Sequence, residues 1–343
     1  MEQLEEKIKQ AALTAGYEAC GIVKISAVAG FEKELNERIT RISGSGLFYQ
    51  NYHRFAHLEE TYPWAKSIVV CVRGDGKYKV PNSLEGMIGK SYLFDCRTNA
   101  LSPGYVNSFK FEAFLKDCGL NAVTERRFGI TALRRAASQA GLGLIRKNNF
   151  FYTNSGSWVS LEAWLIDREL EAIEKPTIKP CPEGCTLCMN HCPTCSLSQP
   201  YTMNPFSCVS FLTTFGELNS TRDRFGAQIG NWVYGCDVCQ DICPFNKNIR
   251  SATEEFPGLA ELSQQISLEK LVSADYDFLE NTLQPKFWYI RQNDGWKWKV
   301  NAINAMVNSY KDKYQECIFN ARGDTQPKVR EMAQWAIRTL GLE

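Results

Sequence analysis

Apolar residues at the start of the chain fall at helical spacing. Leu4, Ile8, Ala11 and Ala12 share one face of a stretch otherwise rich in Glu, Lys and Gln, and Gly16 supplies a stop, so the pattern predicts a helix over residues 1–16. Two later runs lose that period. Cys20-Gly-Ile-Val-Lys-Ile25 reads as a short strand. Ala65-Lys-Ser-Ile-Val-Val-Cys-Val72, β-branched and bounded by Pro63 and Gly74, reads as a second. Phe109–Asp117 reads as a helix, and so does Thr131–Ala140, with Gly141 and Gly143 just past its end. Ser157–Leu170 reads as a further helix, its Trp158, Leu161, Trp164 and Leu165 forming a stripe of core type. Near the C-terminus, Trp296–Tyr310 and Pro327–Leu340 form a helix pair. The second helix has Asp324 or Thr325 to cap it, Pro327 in its first turn, Gly341 past its end, and Val329, Met332, Ala333, Ala336, Ile337 and Leu340 on one side. Such a pair is one unit of a helical repeat. Alone it cannot bury both faces, so it should dock on the body or extend a binding surface.

These elements divide the chain. Residues 1–174 mix helices and strands. Glu174-Lys-Pro-Thr-Ile-Lys-Pro180 is a polar, proline-bracketed linker. Residues 175–250 are rich in cysteine, and 251–343 carry a connecting segment and the helical tail. A chain of 343 residues has room for two or three domains, and 44% hydrophobic with 12% aromatic residues supports a real core. No apolar run approaches the roughly 20 residues of a membrane span. A net charge of +1 excludes a global pull toward nucleic acid. The N-terminal stretch has no apolar signal core, so the fourteen cysteines are expected in a reducing cytoplasm.

The cysteines carry the chemistry. The first run, CPEGCTLCMNHCP, contains Cys181, Cys185, Cys188 and then Cys192 followed by Pro193. The second, GCDVCQDICP, contains Cys236, Cys239 and then Cys243 followed by Pro244, and Cys208 lies between the two. A run closing on Cys-Pro is the ligand pattern of two-cluster bacterial ferredoxins, in which the last Cys of each run serves the other cluster. Together these residues supply the eight thiolates that two 4Fe–4S clusters need. Zinc uses Cys-x2-Cys pairs but needs neither a third Cys three residues on nor a following Pro, twice over. A disulfide framework suits small secreted chains instead. The first gap is x3 rather than x2, and Cys195, just past Pro193, is an alternative ligand. Cys181 is favoured because Cys195 follows the Cys-Pro that ends a run.

Several further segments resemble the epoxyqueuosine reductase family, cobalamin-dependent enzymes of tRNA modification whose core is similar to the reductive dehalogenases. Ala140-Gly-Leu-Gly143 with Lys147-Asn148 is similar to the family's AGLGWxGKN. Gly156-Ser-Trp158 with Leu161 and Asp167 is similar to GSWxxLxxxLxD. Cys208-Val-Ser-Phe-Leu-Thr213 resembles CxxYLT, and Tyr234–Asn246 resembles YGCDxCQxxCPWN. Trp296, Lys299, Asn301 and Ala302 sit where the family has its W…RNA stretch. The resemblance implies an α+β protein: an N-terminal α/β domain of nitroreductase-like type, a two-cluster ferredoxin domain and a HEAT-like tail. It implies one cluster on Cys181, Cys185, Cys188 and Cys243, and the other on Cys192, Cys208, Cys236 and Cys239. It further implies cobalamin bound base-off near Gly141, Gly143, Lys147, Asn148, Gly156, Ser157 and Trp158, with single electrons reaching it through the clusters from a donor such as a flavodoxin or ferredoxin. A tRNA partner also follows from it. The chain departs from the family at its catalytic stretch. Where the family ends on Asp-Tyr-His this sequence has Asp95-Cys96-Arg97, and Phe128-Gly-Ile-Thr131 replaces Asp-Ser-Ala-Pro.

Asp95 is the candidate proton donor, because burial can raise a carboxyl's pKa toward neutrality. The alternative is a surface or capping role. Tyr92 and Tyr152 are further donors. His53 and His57 stand at i, i+4 spacing without a third ligand and fit a surface helix, and His191 adjoins Cys192. Arg126, Arg127, Arg134, Arg135, Arg146 and Lys147 form the densest basic stretch, which suits phosphates of tRNA or of the corrinoid nucleotide tail, or else a solvated helix face. The rival functions are an electron carrier for a partner corrinoid protein, a tRNA-binding module that keeps its clusters for structure, and a dehalogenase-like enzyme without tRNA modification.

Overall fold

The structure, a computed structural model, describes residues 3–175, 177–247 and 252–342. Met1 and Glu2 of the expected first helix, Pro176 of the linker and the expected 248–250 end of the cluster domain lie outside these residues. The fold is α+β. Helix α1 (Leu4–Thr14) leads into β1 (Ala19–Lys24), followed by α2 (Phe31–Arg41) and β2 (Ser67–Gly74). Helix α3 (Pro103–Asp117) precedes β3 (Ala122–Val123). After it come α4 (Leu133–Gln139), the hairpin β4 (Leu144–Ile145) and β5 (Phe151–Tyr152), and then β6 (Val159–Ile166). The sheet has the order β1-β2-β6-β3, with all pairs antiparallel.

Strand β2 is buried along its whole length, so it is apolar at consecutive positions. Ile68, Val70 and Val72 pack with Ala136 and Ala137 of α4 and Ala140 just past its end on one face. Val69 and Cys71 pack with Ile8 and Ala12 of α1 and Phe111 and Leu115 of α3 on the other. The result is three layers, helix on sheet on helix.

The expected helix over Ser157–Leu170 is not formed. Its centre is β6, paired from Val159 opposite Gly74 to Ile166 opposite Ser67. Ala163–Ile166 are all buried, so this strand also lacks a clean period of two, and Trp158, Leu161, Trp164 and Leu165 imitate a helical stripe.

The tail docks on the body. Helix α5 (Trp296–Asn308) is buried from Trp296 to Met306. It shares one core with Val209, Leu212, Phe225 and Tyr234 of the cysteine-rich segment and with Val329, Met332 and Ala336 of α6 (Pro327–Leu340). Most of its polar side chains are engaged, though Asn304 Oδ1 and Trp298 Nε1 find no partner. Asn301 Nδ2 donates to the Thr213 and Val233 carbonyls, both at 2.9 Å, and Asn304 Nδ2 to that of Gly226 at 3.0 Å. Lys299 Nζ donates to Asp324 Oδ2 at 2.8 Å. A lone buried polar group costs more than its hydrogen bond returns, so these contacts fix one register for α5. Among the described residues no helix is long and apolar enough to cross a membrane.

Candidate iron–sulfur and cofactor site

Each cysteine run places one thiol on a single helical turn, Cys188 on Leu187–Asn190 and Cys239 on Val238–Asp241. Each run then turns outward at Cys-Pro. The two turns face each other and produce interlocked groups. One cavity is lined by Cys181, Cys185, Cys188 and Cys243. A second is lined by Cys192, Cys208, Cys236 and Cys239. Cys195 lines neither; it is exposed and sits at φ 52°. Burial pushes the Cys188 thiol up to about 11, helped by the nearby thiols of Cys181, Cys243 and Cys185. Cys208, Cys236 and Cys239 are also raised, again chiefly by burial. Four soft donors crowded out of water cannot all ionise unaided, and iron supplies the charge that lets them, so both cavities suit a 4Fe–4S cluster.

The β4–β5 turn and the segment after it latch this module to the sheet. Lys147 Nζ donates to the carbonyls of Pro182, Glu183 and Cys185 at 2.9, 2.6 and 3.0 Å. Asn148 Nδ2 donates to Tyr152 Oη and to the Cys239 carbonyl, both at 2.9 Å. Ser157 N donates to Asn246 Oδ1 at 2.9 Å and its Oγ to Gln240 Oε1 at 2.7 Å. Arg146 stacks on Phe245 at 3.3 Å and donates to the Lys179 carbonyl at 2.8 Å. The glycines serve close packing: a Cβ on Gly141, which has φ +73°, would lie 1.7 Å from the Glu174 carbonyl oxygen, and one on Gly143 would lie 2.2 Å from that of Tyr152. Gly156 closes a turn with Thr153, and Trp158 is buried beneath Lys90 Nζ. The sequence expectation for Gly141, Gly143, Lys147, Asn148, Gly156, Ser157 and Trp158 was cofactor contact. Here their polar groups and close approaches are taken up within the protein, and none of them lines the cavity that holds Asp95.

Replacing Lys147 with Met should strip three carbonyls of their donor, at a cost on the order of 3 kcal/mol. The cluster in the Cys181 group should then become the labile one. Under anaerobic chelator challenge, iron should fall toward half while the second cluster's EPR signal persists; equal retention in variant and parent would show that the latch is dispensable.

The Asp95 cavity has a volume of about 320 Å³ and lies between the ends of β2 and β6, the start of α4 and the 91–97 segment. Asp95 is buried, as expected, but its electrostatics differ from the expectation. Arg97 grips it with Nε to Oδ1 at 2.9 Å and Nη2 to Oδ2 at 2.8 Å, and Trp288 Nε1 donates to Oδ2 at 3.0 Å. Burial alone would raise this carboxyl, but the charge and hydrogen bonds of Arg97, with Lys286 nearby, hold it below the usual carboxylate range. Asp95 is therefore an ionised acceptor that fixes Arg97 and Trp288, not a stored proton. Asp75, which the sequence did not single out, lines the same cavity just past the end of β2. Burial pushes it up to about 7, with Arg73 opposing. Arg73 itself donates through Nη1 to Cys96 Sγ at 2.7 Å. Two carboxyls held apart in pKa within one cavity are an acid and base arrangement. The only sequence signal for Asp75 was its place at the end of a buried strand. Lys286 and Trp288, from the connecting segment, gave none.

Buried polar atoms without a hydrogen-bond partner edge the cavity and the adjoining thiol cavity: Arg73 Nη2, Thr131 Oγ1 and Asn149 Nδ2. A ligand rimmed with amides, as a corrinoid is, would satisfy them. None of the three histidines lines the Asp95 cavity. His53 and His57 both face Glu32, at 3.7 and 3.1 Å, and His191 Nδ1 meets the Leu187 carbonyl at 2.9 Å. The three cavities also adjoin one after another. Asn148 walls both thiol cavities, and Ser91 and Arg134 wall both the second thiol cavity and the Asp95 cavity.

An α+β fold with two such thiol cavities defines a double-cluster iron–sulfur protein, and residues 181–246 match the family model of the 4Fe-4S double cluster binding domain. Comparison over the whole length narrows this. The epoxyqueuosine reductase of Staphylococcus aureus is 26% identical across 100% of this chain and 90% of its own. That of Bacillus subtilis is 33% identical over 61% of this chain and 53% of its own. A solved epoxyqueuosine reductase with a tRNA-Tyr epoxyqueuosine-modified stem loop superposes with a TM-score of 0.80 at 24% identity, covering 99% of this chain and 90% of its own. The enzyme from Streptococcus thermophilus gives 0.80 at 20% identity, over 100% and 91%. Over its whole length the chain is similar to the epoxyqueuosine reductases, as a divergent relative. These relatives indicate an iron–sulfur reductase, and the carrier alternative is not favoured.

Proposed function

We propose that this reductase passes single electrons through its two clusters to a corrinoid seated in the Asp95 cavity, bound base-off. The observation that carries the proposal is the succession of three adjoining cavities, two walled by four thiols each and the third by separated carboxyls. When bound, cobalamin would supply the bond chemistry, and the clusters the one-electron supply. The chain's own part is to hold and deliver. Cys181, Cys185, Cys188 and Cys243 hold the outer cluster, and Cys192, Cys208, Cys236 and Cys239 the inner one. Asp95 fixes Arg97 and Trp288 at the wall, and Asp75 holds the proton. The absence of a histidine from the lining leaves cobalt without an imidazole from the protein.

On this reading, residues 1–174 form the nitroreductase-like cofactor and substrate domain, 175–250 the ferredoxin-like domain, and 251–343 a HEAT-like tail. The donor is a cytoplasmic flavodoxin or ferredoxin. The substrate class is the one the relatives' names give, an epoxyqueuosine-type nucleoside in tRNA. Cob(II)alamin titrated into anaerobically reconstituted protein should give a base-off EPR spectrum, free of nitrogen splitting. No binding would return the carrier alternative, and a nitrogen-split spectrum would overturn the geometry. Salt-sensitive binding of a tRNA stem loop tests the substrate separately.

A further inference from the structure

The basic stretch that stands out in the sequence disperses in the fold, and among the described residues Arg127, which lies over Trp288, Arg134 and Arg146 have no carboxylate partner. Arg126 is held by Glu112 and lies 3.6 Å from Glu162. Arg135 is held by Glu34, while Arg146 and Lys147 serve the first cysteine loop. Arg134 differs. It donates through Nη1 to the Asn149 carbonyl, and among the described residues no Asp or Glu pairs with it. Its charged neighbour is Arg38, whose own contact with Glu34, at 3.8 Å, is shared with Arg135. One carboxylate thus serves a neighbourhood of three guanidiniums. Burial, and then the charge of Arg38, pull the Arg134 pKa down, against Tyr49, Tyr52 and Glu34. Arg134 is exposed to solvent within an open concavity.

Its position is specific. Arg134 walls both the inner thiol cavity and the Asp95 cavity. Two buried donors beside it are unspent. Thr131 Oγ1, one turn earlier in the chain, is in a residue only 2% exposed and lines the Asp95 cavity. Asn149 Nδ2, in a residue 9% exposed, lines the thiol cavity. An excess of positive charge flanked by unpartnered donors in an open recess is the chemistry of an anion site, and a guanidinium fork suits phosphate oxygens.

We propose that Arg134 and Arg38, flanked by Thr131 and Asn149, form a phosphate subsite at the seam between the inner cluster cavity and the Asp95 cavity. Two ligands could bring that group: the phosphodiester of a corrinoid's nucleotide tail, or a phosphate of the substrate. The first source rests on the corrinoid proposal; the subsite itself does not.

The test uses the full chain, cluster-loaded and anaerobic, with iron content and melting temperature checked for each variant. Cob(II)alamin and cob(II)inamide, which lacks the nucleotide and its phosphodiester, are titrated by absorbance, and inorganic phosphate by thermal shift. If the corrinoid tail is the occupant, Arg134→Gln weakens cobalamin by about ten- to hundredfold and leaves cobinamide within about twofold. If a substrate phosphate is the occupant, the parent is stabilised by inorganic phosphate, Arg134→Gln abolishes that shift, and the two corrinoids are affected alike or not bound at all. Arg134→Lys keeps the charge and should restore part of whichever response is lost. A parent that shows no phosphate shift, together with an Arg134→Gln variant that does not discriminate between the two corrinoids, overturns the subsite.

Discussion

Replacing Cys243 with Ser should remove the cluster held by the first cysteine run, not the one nearest to it in sequence. Its thiol lines the cavity of Cys181, Cys185 and Cys188. After anaerobic reconstitution the parent should hold about eight iron atoms and the variant about four. Paired substitutions expose the interlock. Cys243→Ser with Cys188→Ser touches one cavity and should still leave about four iron, because both thiols serve the same cluster. Cys243→Ser with Cys239→Ser touches both cavities and should leave almost none. The reverse outcome, in which the 239/243 pair retains a cluster and the 188/243 pair does not, would mean that each run closes on its own cluster. The first gap is tested by the same assay. Cys195→Ala should keep both clusters and Cys181→Ala should lose one, because Cys195 is exposed and lines neither cavity.

What the sequence made legible follows from how local each signal is. The cysteine runs are contiguous, and the tight turns their spacing imposes are local, so their chemistry could be read before any fold was known. The first and last helices were equally plain, since α1 and α6 are amphipathic and lie on the surface of a core. The strand β6 was not. Its buried half offers no alternation, and periodicity alone cannot separate a buried strand from a buried helix. The glycine and Lys147-Asn148 segments were read as cofactor contacts, whereas the partners seen here, such as the Cys185 and Cys239 carbonyls, come from distant parts of the chain. A sequence motif marks a constrained residue without saying what constrains it. The same limit hid the surroundings of Asp95: Arg97 beside it does most to hold it ionised, but Lys286 adds to this and Trp288 donates to it, both almost two hundred residues on.

Asp95→Asn and Asp75→Asn should have opposite effects on stability. Asparagine at position 95 leaves the Arg97 fork and the nearby, half-buried Lys286 amine without their counter-charge, and removing one partner of a buried pair costs about 3–5 kcal/mol. Because Asp95 is held below the usual carboxylate range, its contribution is fully present above that range and is lost only as pH falls through its lower folded value. The deficit of Asp95→Asn, read as a lower urea midpoint, should therefore be constant from mildly acidic to alkaline pH and narrow only in strong acid. Asp75 runs the other way. Its folded value stands at about 7, so the folded state keeps a proton that the unfolded chain releases above about 4. The parent's stability should fall as pH rises between those two values and then level off. Asp75→Asn removes that loss, so the variant should gain on the parent across the window and be the more stable protein at pH 8. Asp237 is also pushed up to about 7 by burial, but it is present in both proteins and cancels in the difference. The pair of curves decides which carboxyl can hand over a proton at neutral pH. A pH-independent deficit for Asp75→Asn, with no deficit for Asp95→Asn, would return the proton-donor role to Asp95. The expected pattern assigns it to Asp75 and leaves Asp95 as the anchor that keeps Arg97 and Trp288 at the cavity wall.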